Sequence, residues 1–313
     1  MRLPTVFTIL AQVSAAFLVS AGNATTALDA WPRWLLILLS ATAAYWSGMI
    51  LNDLWDLAED RIERPSRPLP SGMIAVATAR TVGWGLLPLS ILLAGLSGWV
   101  PVAGLTPSLA PPLIAAVLAV GIVLYNGPLK PTPLAPLAMG GCRLLVFLLG
   151  ASPWVSFGAA EFMQPQGWFP PHLLAIAVGF GVYITGITTI SRLETKSGQT
   201  WDLNVGLLVA LIGAGILAFA PRVAPPGTVW QFVPDLGFSV LIGLVTLPVL
   251  IRGLRASSDP RPELIQNLVR IGVLNLIPYS AALVLLVAGS GWALATFCLA
   301  ILAIVSSAKL RVT

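Results

Sequence analysis

The sequence predicts an all-α, polytopic membrane protein, and three observations carry that expectation. Of the 313 residues 57% are hydrophobic and only 9% are charged, whereas soluble domains run at about 45–50% apolar and about 25% charged. The mean hydropathy is +0.90, which also excludes a disordered chain, because disorder needs low hydrophobicity and high charge. The apolar residues run in unbroken stretches near the ~20 residues that a helix needs to cross a bilayer. They do not alternate with polar residues as the strands of a membrane barrel do.

Read in order, the stretches give ten candidate spans, at about 4–21, 33–53, 73–98, 111–126, 133–156, 171–191, 203–220, 236–253, 267–288 and 290–308. The first opens behind Arg2 and ends near Val19-Ser20-Ala21, a pattern that imitates a signal peptide. In a polytopic chain it is read as a retained first helix. The fourth is short and starts behind Pro111-Pro112, and Pro and Gly otherwise gather between spans. Only the weak turn Gly289-Ser290-Gly291 parts the last two, which leaves nine or ten helices. No composition shift divides the chain, so one domain over 1–313 is expected.

The charges test the topology. With the N-terminus cytoplasmic, 15 of the 17 basic residues fall on the cytoplasmic side, and only Arg33 and Arg222 fall opposite. That is the positive-inside pattern. It accounts for the net charge of +5 without nucleic acid, which is not expected as a partner. Cys142 and Cys298 lie in apolar stretches and read as packing residues. His172, the single histidine, heads an apolar run and reads as interfacial. Asn204 and Asn275 read as helix–helix hydrogen bonds, and Asp202 as a cap of the seventh span.

Nine of the twelve acids share the basic side, and five fall between Asp53 and Glu63. At about 100° per residue, Asp53, Asp56 and Asp60 occupy a wedge of roughly 60° beside Asn52. Like charges on one face repel, and acids at a membrane edge mark functional sites. A divalent cation removes the repulsion, and Mg²⁺ takes one or two carboxylates with phosphates and waters. The following segment, Arg61 to Gly72, carries three prolines that stiffen it, and it projects Arg64 and Arg67. Guanidinium suits phosphate recognition.

Asn52, Asp53, Asp56 and Asp60 match the NDxxDxxxD motif of UbiA-type intramembrane prenyltransferases, and Arg64 with Arg67-Pro68-Leu69-Pro70-Ser71-Gly72 matches the RxxRPLPxG element behind it. Tyr125-Asn126-Gly127-Pro128-Leu129-Lys130 resembles the family's Tyr…Lys element. The resemblance implies about nine helices around a central cavity. It also implies Mg²⁺-dependent transfer of a prenyl group from an allylic diphosphate to an acceptor inside the membrane. It implies catalytic roles for Asp53, Asp56, Asp60 and Lys130, and diphosphate contacts from Asn52, Arg64, Arg67, Tyr125, Asn126, Arg143, Arg192 and Lys196. Trp55 or Tyr125 would face the allylic cation.

The family's second acidic motif departs here. Ile190-Ser191-Arg192-Leu193-Glu194-Thr195-Lys196-Ser197-Gly198 puts Ile190 at the first acidic position and Glu194, a candidate metal ligand, at the second. A family branch from ebo-type secondary-metabolite clusters is similar in this respect, which implies a polar or aromatic metabolite as acceptor. The missing acid also motivates a second expectation, a non-catalytic binder or transporter of a prenylated or polar metabolite. The expected location is a bacterial inner membrane, with the site loops and both termini cytoplasmic.

Overall fold

The computed structural model describes residues 5–156, 169–193 and 200–309. Seven of its helices are long and apolar enough to cross a bilayer, and two shorter apolar helices join them. In chain order the bundle runs α1 (Val6–Ala21), α2 (Ala24–Asp29), α3 (Trp31–Trp55), α4 (Leu57–Glu63), α5 (Val76–Trp99), α6 (Ala110–Asn126), α7 (Ala135–Ala151), α8 (Pro171–Ser191), α9 (Thr200–Phe219), α10 (Leu236–Ser258), α11 (Pro262–Leu274) and α12 (Leu276–Lys309). The first eight expected spans correspond to α1, α3 and α5 to α10, with ends shifted by a few residues.

The short helices α2 and α4 are additions to the sequence reading. Asn23 starts α2, its Oδ1 accepting the Thr26 amide at 2.8 Å, as an N-cap does. Asp202 lies within the first turn of α9 rather than before it. There a carboxylate interacts with the helix dipole instead of capping. His172, in the first turn of α8, is buried against Trp230 of the loop before α10.

The last apolar stretch resolves at two points. The helix is interrupted at Asn275, which accepts the Tyr279 amide and ends α11. Gly289 has φ +81°, a conformation open to glycine at little cost. Beyond it Ala303 packs with Ile277 and with Ala11 of α1. The two halves of α12 therefore lie side by side, as the weak turn at Gly289 implies.

Lipid-facing and core-facing surfaces are both apolar. Leu92, Val120, Leu208, Leu244 and Leu302 are exposed on α5, α6, α9, α10 and α12. Lipid gives little hydrophobic drive between helices, so close packing and hydrogen bonds hold them together. A Cβ on Gly186 of α8 would stand 2.3 Å from the Ala210 amide of α9. One on Gly140 of α7 would stand 2.4 Å from the Gly181 carbonyl of α8. Between α3 and α5, Ser47 donates to the Gly83 carbonyl (2.6 Å) and Ser40 to the Ser90 carbonyl (2.8 Å).

Arg33, one of the two basic residues on the sparse side, is 1% exposed. Its guanidinium donates to the carbonyls of Val100 (2.8 Å), Pro153 (3.1 Å) and Thr106 (3.2 Å). It ties three backbone segments together at the end of the bundle opposite the acid-rich segment. Gly186→Val should destabilise the bundle by about 1–3 kcal/mol through overpacking. The measurement is the thermal unfolding midpoint in detergent, with Gly215→Ala, where a Cβ meets nothing within 4 Å, as the unchanged control.

Candidate active site

At the acid-rich end a cavity of about 350 Å³ opens between α1, α3, α6, α7, α8 and α11. Its deeper wall is apolar, with Ile9, Ala41, Leu118, Ile122, Val146 and Ile184. Its polar residues are Thr5, Asn52, Tyr45, Tyr125, Asn126, Arg143, Thr188 and Ser191. Asn52, Asn126 and Ser191 sit within four residues of their helix ends, so they form the mouth.

The mouth is tied by charge. Lys130, in the turn after α6, donates to Asn52 Oδ1 at 2.9 Å and forms an ion pair with the Asp56 carboxylate. Asn52 Nδ2 donates to the other Asp56 oxygen at 3.0 Å. The end of α3 is thus joined to the α6–α7 turn by one ammonium, one carboxylate and one amide. All three are part-buried, where such contacts are stronger than in water.

Asp60 lies apart from this group. It is 4% exposed and takes Arg67 at 2.6 Å and Arg64 at 3.8 Å. Asp56, at φ −84° and ψ 0°, is the junction between α3 and α4. Asp56 pairs with Lys130, and Asp60 with Arg67 and Arg64. Among the described residues no three Asp, Glu, His or Cys side chains group as a metal site.

Arg192 turns from the cavity and donates to the Thr132 carbonyl at 2.7 Å. Trp55 faces outward, against Gly127 and Trp84, so of the two aromatic residues named for a cation only Tyr125 lines the cavity. Ile190 is fully buried against the backbone of α9 at Gly206. An acid there would enter apolar packing, which explains why this sequence does without one. Glu194 and Lys196 lie outside the described residues.

A model of the UbiA prenyltransferase family matches residues 13–265. The chain belongs to the UbiA prenyltransferase family. Its α12 lies beyond the matched region. The UbiA member is 27% identical over 213 residues to a digeranylgeranylglyceryl phosphate synthase of Metallosphaera sedula, covering 65% of each chain. It is 28% identical to that of Methanoculleus marisnigri over 77% of this chain and 80% of the relative. The fold matches a UbiA homologue from Aeropyrum pernix with a TM-score of 0.62 at 14% identity, over 91% of this chain and 98% of that one. It also matches a homologue from Archaeoglobus fulgidus bound to DMAPP and Mg²⁺, with a TM-score of 0.55 at 16% identity, over 91% and 98%.

The donor chemistry of this UbiA mouth fits a divalent cation. Asp53 and Asp56 follow Asn52 at the end of α3 and offer hard oxygens, and Mg²⁺ is held by one or two carboxylates with phosphates and waters. Asp60 is engaged with Arg67 and Arg64. Sequence reasoning missed Tyr45, two turns before Asn52 on the same helix face, and Thr8 and Gln12 of α1. The signal for Gln12 was its place as the single amide side chain within the first span. Asp60→Asn and Arg67→Gln should prove strongly non-additive in thermal stability, with a coupling of about 0.5–3 kcal/mol. A double-mutant cycle in detergent measures it.

Proposed function

We propose that the protein transfers a prenyl group from an allylic prenyl diphosphate to an acceptor held within the bilayer. The observation that carries this is the Asn52–Asp56–Lys130 group at the mouth of an apolar cavity inside a helical bundle. It puts cation and carboxylate chemistry next to a water-poor pocket. The whole chain works as one unit, with the mouth on the cytoplasmic face, where the basic loops would lie.

Asp53 and Asp56 would hold Mg²⁺, which when bound offsets the negative charge of the diphosphate. Lys130 gives its ammonium to diphosphate oxygens and supports the charge that grows there as the C1–O bond breaks. Arg67, oriented by Asp60, and Arg64 add positive charge at the rim. The prenyl tail lies along Ile122, Leu118, Ala41 and Ile184, and these side chains keep water from the allylic carbons. Tyr125 presents a ring to the developing cation, an attraction of about 0.5–2 kcal/mol. The bond from C1 to diphosphate breaks with its electron pair on the diphosphate. The acceptor bonds to C1, and its proton passes to the departing diphosphate.

Ile190 supports a second reading, a binder without turnover, because it removes one acid of the second motif. Detergent-purified protein with Mg²⁺ and geranyl, farnesyl or geranylgeranyl diphosphate should release diphosphate. EDTA should abolish release and added Mg²⁺ restore it. Asp53→Asn and Asp56→Asn should each slow it by at least ~100-fold, the scale of losing a charge-stabilising group. Release that survives both substitutions would sink the site, and binding of every donor without release would favour the second reading.

A further inference from the structure

The depth of the cavity follows from the residues that line it. On α3 the wall runs from Asn52 at the mouth to Ala41, about 16 Å at 1.5 Å per residue. On α6 it runs from Asn126 to Leu118, and on α8 from Ser191 to Ile184, about 12 Å and about 10 Å by the same rise. Past that level the bundle is filled. Phe17 of α1, Ile37 of α3, Phe147 of α7 and Phe180 of α8 are fully buried there, and the rings of Phe147 and Phe180 lie 5.7 Å apart. Interiors packed in this way hold few voids, so the cavity is blind at its deep end.

The sides decide whether a long ligand can leave laterally. Thr5 and Tyr45 share a hydrogen bond that joins α1 to α3. Ile122 of α6 packs on Gly48 of α3, Cys142 of α7 on Gly121 of α6, and Ile187 of α8 on Gly272 of α11. An added Cβ on each glycine would stand 3.4 Å, 3.3 Å and 2.5 Å from these side chains. The seam between α1 and α11 is different, because the two helices scarcely touch. Both line the cavity, with Thr5 and Ile9 at the start of α1 and Val269 and Val273 on α11. On another face they present Phe7 and Leu274, and the returning half of α12 lies across both. Its Ala303 sits with Ala11 of α1 and Ile277 of α12, all three fully buried, and Leu299 and Ala300 complete the contact. Small residues let membrane helices approach closely. Leu294, Phe297, Ile301 and Leu302 of the same helix are exposed, so the returning half stands between the seam and the bilayer.

We propose that the returning half of α12 is a seal across the α1–α11 seam, and that the closed cavity it completes limits the donor to three isoprene units. The proposal rests on the prenyl-transfer reading. An extended peptide spans about 3.5 Å over the three bonds of a residue, so an isoprene unit, with four bonds along its chain, adds roughly 5 Å. With the diphosphate held at the mouth, three units reach the floor at Ala41, Leu118 and Ile184. A fourth meets the packed rings below and the covered seam beside it. Leu118 sets the depth, and Ala303 keeps the side closed.

The test uses the full chain in detergent with Mg²⁺ and the non-cleavable thiolodiphosphates of geranyl, farnesyl and geranylgeranyl. Affinity should be highest for farnesyl and fall at least ~10-fold for geranylgeranyl, the low end of what misfitting hydrocarbon costs in a pocket. Ala303→Phe wedges the returning half away from α1. It should bring the geranylgeranyl-to-farnesyl ratio near one and leave farnesyl affinity unchanged. Leu118→Ala deepens the floor and should recover part of the ratio. Uptake of the longer chain into micelles is common to all three proteins and cancels when their ratios are compared. The two variants act on different walls, so a folding defect in one leaves the other, and the wild-type series needs neither. Geranylgeranyl bound as tightly as farnesyl by the wild type overturns the proposal, as does a ratio that neither folded variant moves. Diphosphate release from the three cleavable donors is measured alongside. Binding with the expected ranking but no release from any donor is failure of the prenyl-transfer reading itself, distinct from failure of the length limit.

Discussion

The bilayer supplies no hydrogen bonds, and every polar group placed in it must find a partner within the protein. Much of this molecule follows from that one constraint. At one end Arg33 spends its guanidinium on three loop carbonyls. Within the bundle, Ser40 and Ser47 join α3 to α5, and Thr246 and Tyr279 bond each other between α10 and α12. At the other end the acids separate, Asp56 to Lys130 and Asp60 to Arg67. At the cavity, Arg143 spends its guanidinium on Thr8 and Gln12 of α1, and Asn126 gives its amide to the Gly48 and Ile122 carbonyls.

The same constraint explains why the site is assembled from distant segments. Asn52 and Asp56 are separated from Lys130 by more than seventy residues, and Arg143 meets α1 across more than 130. Glycines at the α7–α8 and α8–α9 contacts bring the backbones close, which fixes these partners at hydrogen-bond distance. Helices set the geometry more firmly than loops would, and the mouth residues sit in the last turns of helices for that reason.

Much of this was legible beforehand. Span lengths came from hydrophobic runs, which a bilayer makes nearly obligatory, so α1, α3 and α5 to α10 lie close to where the composition puts them. The motif at Asn52 to Asp60 and the Lys130 element stood out because their spacing is local. What was hidden depends on a third dimension. The pairing of Asp56 with Lys130 and of Asp60 with Arg67 brings in other segments that a helical wheel does not contain. The outward turn of Arg192 and Trp55 depends on neighbours from other segments. Thr8 and Gln12 carry no motif and became visible only when α1 was laid against α7. The loss of an acid at Ile190, a defect in the sequence pattern, reads in the fold as a packing requirement against Gly206.

The hairpin at Gly289 bears on how the molecule is made. Its returning half packs Ala303 beside Ala11, so α12 covers a flank of α1. α1 also places Ile9 in the cavity wall and gives Thr8 and Gln12 to Arg143 of α7. Because α1 is translated well before α12, that flank stays open to lipid or to the insertion machinery until the hairpin is made. The cavity has the same order of assembly: α11 brings Val269 and Val273 to its wall only after the five other helices that line it.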